Sequence, residues 1–147
     1  MSNTYSFMDV TASIIGVGGS FDLGYGAAVA EEGITTSMIE NKNTMTIGAD
    51  GEGMHSLHAG KGGTVTVNLL KTSPTNRKLS AMYNAQSQSS ATWGNNIILI
   101  RNTASGDTFA ARGCAFQKQP DFNNAKDGAL VPWVFDCIKV DQLLGTF

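Results

Sequence analysis

The sequence is short of charge. Asp, Glu, Lys and Arg make up 15% of its 147 residues, against about 25% in an ordinary globular chain. A soluble monomer depends on a charged skin, whereas surfaces that close against other proteins are depleted of charge. This composition points to an assembly subunit. Two cysteines, Cys114 and Cys137, are too few for a disulfide framework or a zinc site. No apolar run approaches the ~18 residues of a membrane-spanning helix. Residues 1–6 have neither a basic nor an apolar region, so no secretory signal is expected. Residues 1–41 lack any Lys or Arg while carrying Asp9, Asp22, Glu31, Glu32 and Glu40; the remainder has seven acids and ten bases. The net charge of −2 argues against a chain built to grip nucleic acid. The uneven distribution suggests two surfaces with different electrostatic roles.

What is present is glycine, with 17 residues, and the two-residue period of half-buried strands. Met8, Val10, Ala12 and Ile14 alternate with Asp9, Thr11 and Ser13. Val65, Val67 and Leu69 alternate with Thr64, Thr66 and Asn68. Further strands are expected near 34–40, 43–47, 96–101 and 108–118. A last one from Val131 puts Val131, Trp133, Phe135 and Cys137 on one face, with Pro132 at its start or on an edge. One helix over about 75–89 is expected: Ser73-Pro74 is a start signal, and Leu79, Met82 and Tyr83 share a face. The fold class is therefore mainly β, read as one domain over residues 1–147 with antiparallel strands, one flanking helix and a long inter-strand loop over about 41–63. Small neutral groups (Thr35, Ser37, Thr44, Thr46) fill the wet faces of these strands, as in an antiparallel sheet with one dry side.

No motif for chemistry survives inspection. Gly60-Lys61 is followed by Gly62 rather than Ser or Thr, so the phosphate-loop pattern fails. The dinucleotide fingerprint fails at Phe21, which stands where a third glycine is required. His55 and His58, with Asp50 and Glu52, form a possible metal set only if the segment is helical; contact residues in an interface loop are the preferred reading. Cys114 and Cys137 lie in strand patterns and read as buried, inert thiols. No nucleophile elbow is present, so no enzymatic activity, cofactor or metal is expected.

Several runs then resemble one family. Tyr5-Ser-Phe-Met-Asp-Val-Thr-Ala, Asn43-Thr-Met-Thr-Ile-Gly-Ala-Asp-Gly, Met54-His-Ser-Leu-His-Ala-Gly-Lys and Thr64-Val-Thr-Val-Asn-Leu-Leu-Lys-Thr-Ser-Pro are similar to the tail tube protein of contractile-tailed bacteriophages. Met82-Tyr-Asn-Ala-Gln, Phe116-Gln-Lys-Gln-Pro and Val140-Asp-Gln-Leu-Leu-Gly extend the likeness along the whole chain. The resemblance implies a structural virion protein folded as an antiparallel β-sandwich or partial barrel with one flanking helix, related to the inner-tube protein of type VI secretion. Its subunits form hexameric rings that stack into a tube inside a sheath, made in the host cytoplasm and carried in the phage tail. It implies as partners further copies of the chain, the sheath protein, and the baseplate and terminator proteins, with DNA passing through unbound and no membrane insertion. A soluble β-sandwich ligand-binding module is the alternative.

The residues themselves suggest where such an assembly would join. Sheet edges carrying Thr, Ser and Val rather than charge are templates for a neighbouring strand. The 41–63 loop is longer than strand connections need, and its apolar Met54, Leu57 and Ala59 need burial. The expected stacking contact is Met54 and Leu57 rimmed by Asp50, Glu52, His55, His58 and Lys61, mobile until a second ring orders it. The candidate lumen lining is Asp9, Thr11 and Ser13, small and acidic so that DNA phosphates find nothing to hold.

Overall fold

The clearest alternation lies in β6, Gly63–Leu69, where Gly63, Val65, Val67 and Leu69 are buried and the residues between them half-buried. The structure is a computed structural model that describes residues 3–27 and 29–147; the side chains of Ala30, Glu31 and Glu32 also lie outside the described residues. Two of the five acids of the N-terminal segment, Glu31 and Glu32, therefore fall outside any side-chain account.

The remaining elements are β1 (Val10–Gly16), β2 (Gly19–Asp22), β3 (Val29–Met38), β4 (Asn43–Ile47), β5 (Gly53–Leu57), α1 (Thr75–Gln86), β7 (Asn96–Asn102), β8 (Thr108–Phe116) and β9 (Val131–Leu143). Seven strands form one sheet in the order β2-β1-β7-β8-β9-β6-β3, and β4 and β5 form a second, two-stranded sheet. Every named pairing is antiparallel. The expected mainly β fold with one helix is what the chain adopts. The large sheet rolls so that its ends approach: Phe7, in a short 3-10 turn over Phe7–Asp9, lies against Gly33 of β3.

The core fills this roll. Ile14, Val65, Val67, Leu69, Ile98, Ala111 and Phe135 are fully buried from the strands, and Leu79 and Met82 are buried from α1. Tyr83, Trp93, Phe116, Trp133 and Phe135 continue it as an edge-on and tilted aromatic chain, with neighbouring centroids 4.8–6.4 Å apart, the spacing that ring quadrupoles favour. Trp133 Nε1 donates to Asn76 Oδ1 at 3.0 Å, so the indole is buried without losing its hydrogen bond.

Three local expectations are corrected. Met8 does not extend β1; it sits in the 3-10 turn and is 64% exposed. The helix stops at Gln86, not 89, because the Thr92 hydroxyl donates to the Gln86 carbonyl at 2.9 Å while the Gln86 side chain turns inward. The segment 41–63 is not a free loop, since most of it is the β4–β5 hairpin. Pro132, in contrast, stands near the start of β9 as expected. It does so in a central strand, opposite Asn68, where β8 has already ended at the Phe116–Phe135 rung.

Gly16 and Gly18, part of the failed dinucleotide pattern, have a structural use. The β1–β2 turn is two residues long, Val17-Gly18, and Gly18 has φ +109°, which L side chains rarely adopt. At Gly16 a Cβ would collide with the Asn96 side chain.

Candidate assembly surfaces

The hairpin is built by its turn. Gly48 N–H donates to Glu52 O at 2.7 Å, Gly51 takes φ +91°, and Asp50 Oδ1 accepts from Glu52 N–H at 3.2 Å. Asp50 and Glu52 are therefore turn residues. Asn43 faces Leu57, Met45 faces His55, Thr46 faces Met54 and Ile47 faces Gly53. Cross-strand partners share a face. One face thus carries Met45, Ile47, His55 and Leu57; the other carries Thr44, Thr46, Met54 and Ser56. Met54 and Leu57, expected to work together, point to opposite sides because they are three residues apart in a strand.

All four large apolar residues are open to solvent: Met45 60%, Ile47 57%, Met54 60% and Leu57 82%. A two-stranded hairpin alone is at best marginally stable in water, and this one is not paired with the main sheet. Its apolar face is an uncovered surface.

The histidines are separated. Asn43 Nδ2 and His55 Nδ1 hydrogen-bond at 3.2 Å on the apolar face, whereas Thr44 Oγ1 and His58 Nε2 do so at 2.7 Å on the other. Among the described residues, no group of three or more His, Cys, Asp or Glu is arranged to hold a metal ion. Lys61 belongs to the hairpin's base. It bridges to Lys139, its carbonyl accepts from Val140 N–H at 2.9 Å, and its ammonium lies 3.8 Å from Asp141. Both side chains of that pair are more than half exposed, so it contributes little.

Of the candidate lumen residues, Thr11 and Ser13 lie on one side of β1, whereas Asp9, expected in the same strand, ends the 3-10 turn before it. The Asp9 carbonyl receives the Thr103 N–H at 3.0 Å and its hydroxyl at 3.1 Å. Thr11 stands opposite Arg101, its hydroxyl donating to the Arg101 carbonyl at 3.3 Å, and Ser13 lies between Asp22 and Leu99. Farther along the same side, Ile15 faces Ile97, and Leu99, Ile97 and Ile15 are all exposed. This face therefore grades from polar, with one base, to apolar.

Two strands end the large sheet, β2 on one side and β3 on the other. Neither carries Lys or Pro, which commonly blunt such edges, but the expectation of uncharged edges is corrected: β2 ends in Asp22 and the sequence of β3 includes Glu31 and Glu32, leaving its Ile34–Met38 half free of charge. Near its exposed end, Ser37 Oγ and Thr64 Oγ1 hydrogen-bond at 2.9 Å, tying β3 to β6.

Sequence patterning missed a further surface. Residues 117–130 join β8 to β9 without regular structure, and Phe122 there is 95% exposed. The Lys71 ammonium donates to the Asn123 carbonyl and holds this connection to the body. Its length was the available signal, since unstructured connections of about 12–15 residues are usually functional or disordered.

Against this geometry, residues 1–145 match the family of the bacteriophage PhiTE tail tube protein. The chain belongs to that tail tube family. The family is structural rather than enzymatic. No protein of curated function matches the sequence. The fold is similar to that of the sheath/tube terminator of an extracellular contractile injection system, PVC, in its extended state: TM-score 0.61, 11% identity, 97% of this chain and 98% of that one. It is similar also to the tube-terminating cap of the anti-feeding prophage, with TM-score 0.59, 10% identity and coverage of 99% and 95%. The PVC sheath–tube complex gives TM-score 0.53 and 12% identity, covering 92% and 88%. At these identities the three structures report the fold of this tail tube family member.

Proposed function

We propose that this tail tube protein forms hexameric rings that stack into the inner tube of a contractile phage tail, the conduit through which DNA passes to the host. The observation that carries the stacking step is the hairpin, whose Met45, Ile47, Met54 and Leu57 are all more than half exposed. Burying one such side chain is worth about 1.5–3 kcal/mol, and a ring repeats the contact around its circumference. Asp50, Glu52, His55 and His58 form the polar rim of that contact, with Lys61 at its base. Ring closure uses the open edges, β2 and β3, of adjacent subunits.

Asp9, Thr11 and Ser13, joined by Asp22 across from Ser13, line the lumen in this proposal. Their small or acidic side chains offer DNA phosphates no counter-charge; Arg101 is the single base on the strip. The sheath protein outside, and the baseplate and terminator proteins at the ends, complete the partners, all within the virion. No helix among the described residues is long and apolar enough to cross a membrane.

The ligand-binding alternative would use the cavity of about 580 Å³ lined by Tyr5, Phe7, Ile34, Ile100, Phe109 and Leu144. That size suits a small molecule. Two polar groups at its edge are already engaged, however. Asp107 Oδ1 accepts from Gly145 N–H at 2.6 Å, and Asn102 Oδ1 accepts from Ala104 N–H at 3.0 Å. Imaging the purified protein at high concentration tests the proposal: rings and tubes support it, and a persistent monomer rejects it.

A further inference from the structure

The tube reading makes no use of Cys114 on β8 and Cys137 on β9. They are register partners in adjacent central strands, and both are buried free thiols. Cys114 Sγ donates a hydrogen bond to Cys137 Sγ at 2.9 Å. Directly opposed residues of an antiparallel pair have Cα atoms about 4.5–5.5 Å apart, within the about 4.4–6.8 Å that a disulfide spans. Beside the pair, Gly113 takes φ +62° and packs against Ile138, an added Cβ standing 3.3 Å from that side chain.

We propose that Cys114 and Cys137 are a covalent modification site: a small-molecule disulfide converts them into an intrachain disulfide joining β8 to β9. The hydrogen bond from Cys114 lowers the pKa of Cys137 from that of an ordinary thiol, while Cys114, donating that bond in a buried position, is raised. Cys137 therefore gives up its proton and attacks first. Its thiolate displaces one thiolate from the small disulfide, leaving a mixed disulfide on Cys137. Cys114 then loses its proton and attacks Cys137 Sγ, expelling the second small thiolate. Both leaving thiolates take up the released protons. Two protein thiols are oxidised, and one small disulfide is reduced to two thiols. Because both sulfurs are buried, the first step waits on local opening of the sheet.

The test is to incubate the purified full chain with oxidised glutathione, quench with acid, then count thiols and weigh the chain under denaturing conditions. The expected result is loss of both thiols together. The mass should fall by two hydrogens, with no glutathione retained, and dithiothreitol should reverse the change. Proteolysis should release the Cys114 and Cys137 peptides as one linked species. Persistence of both thiols, a stable glutathione adduct on the wild-type chain, or chains linked to one another would overturn the proposal. Cys114→Ala, or Cys114→Ser if the alanine variant does not fold, should trap one glutathione on Cys137. An unmodified Cys137 in that variant, with the wild type linking normally, would overturn the order of attack.

Discussion

Gln86 and Asn96 are hydrogen-bonded to each other in both directions. Gln86 Nε2 donates to Asn96 Oδ1 at 2.6 Å, and Asn96 Nδ2 donates to Gln86 Oε1 at 2.9 Å. Both residues are buried, 1% and 0% exposed, and Gln86 Nε2 also reaches the Val17 carbonyl at 2.8 Å. This amide pair fastens the end of α1 to the start of β7 and to the β1–β2 turn. Gly16 leaves it room.

Removing one member should cost more than its share. Asn96→Ala leaves the Gln86 amide without its main partner in a dry site, a loss of about 1–3 kcal/mol. Replacing both with apolar residues of similar volume should be less harmful than the sum of the single changes. Gly16→Ala should destabilise by a similar amount, since its Cβ meets Asn96. Urea unfolding of these three variants, together with the matching single changes at Gln86 and Asn96, checks all three statements.

The faces of the hairpin should be separable. Met45→Asp with Leu57→Asp puts two charges beside Ile47 on the apolar face, while Met54→Asp alters only the other. The double variant should unfold at the same urea concentration as the wild type, because both residues are exposed. It should need at least ~10-fold more protein to form tubes, given about 1.5–3 kcal/mol for each lost contact. Sedimentation against concentration measures this.

Edge charge should act one step earlier. Thr35→Lys with Ser37→Lys puts two ammonium groups on β3, the device by which natural sheets refuse neighbours. Subunits should stay folded and fail to close rings. The hairpin variant, by contrast, should still yield isolated rings. Negative-stain images distinguish the two defects.

Lumen chemistry should be readable in salt. Thr11→Lys with Ser13→Lys adds two cations to the proposed lining, and tubes of this variant should retain duplex DNA at low salt. Each phosphate neutralised should steepen the dependence of log affinity on log salt by about 0.9. Wild-type tubes should show no such retention, as read by co-sedimentation of labelled DNA.

The parts of the fold visible in the sequence are those with one wet and one dry face. Val65, Val67 and Leu69 declare β6, and Trp133, Phe135 and Cys137 declare β9, because burial alternates residue by residue. The hairpin was half legible. Thr44 and Thr46 alternate with Met45 and Ile47, but Gly53-Met-His-Ser-Leu has no dry side to enforce a period, and all but Ser56 are exposed. The end of α1 was hidden because its stop is a long-range choice: Gln86 turns toward Asn96, and Thr92 closes the carbonyl. Met54 and Leu57 could be named as candidate contacts but not assigned to faces until β5 was known to be a strand. In the proposed assembly the joining surfaces are completed by other copies, so patterning within one chain marks them only as apolar residues without a core.

The most direct test is a cryo-EM reconstruction of the purified protein at assembling concentration. The account predicts stacked hexameric rings, with Met45, Ile47 and Leu57 buried between successive rings and β2 or β3 continuing the sheet into the next subunit. A filament whose hairpin stands free in solvent, or a protein that remains monomeric throughout, would contradict it.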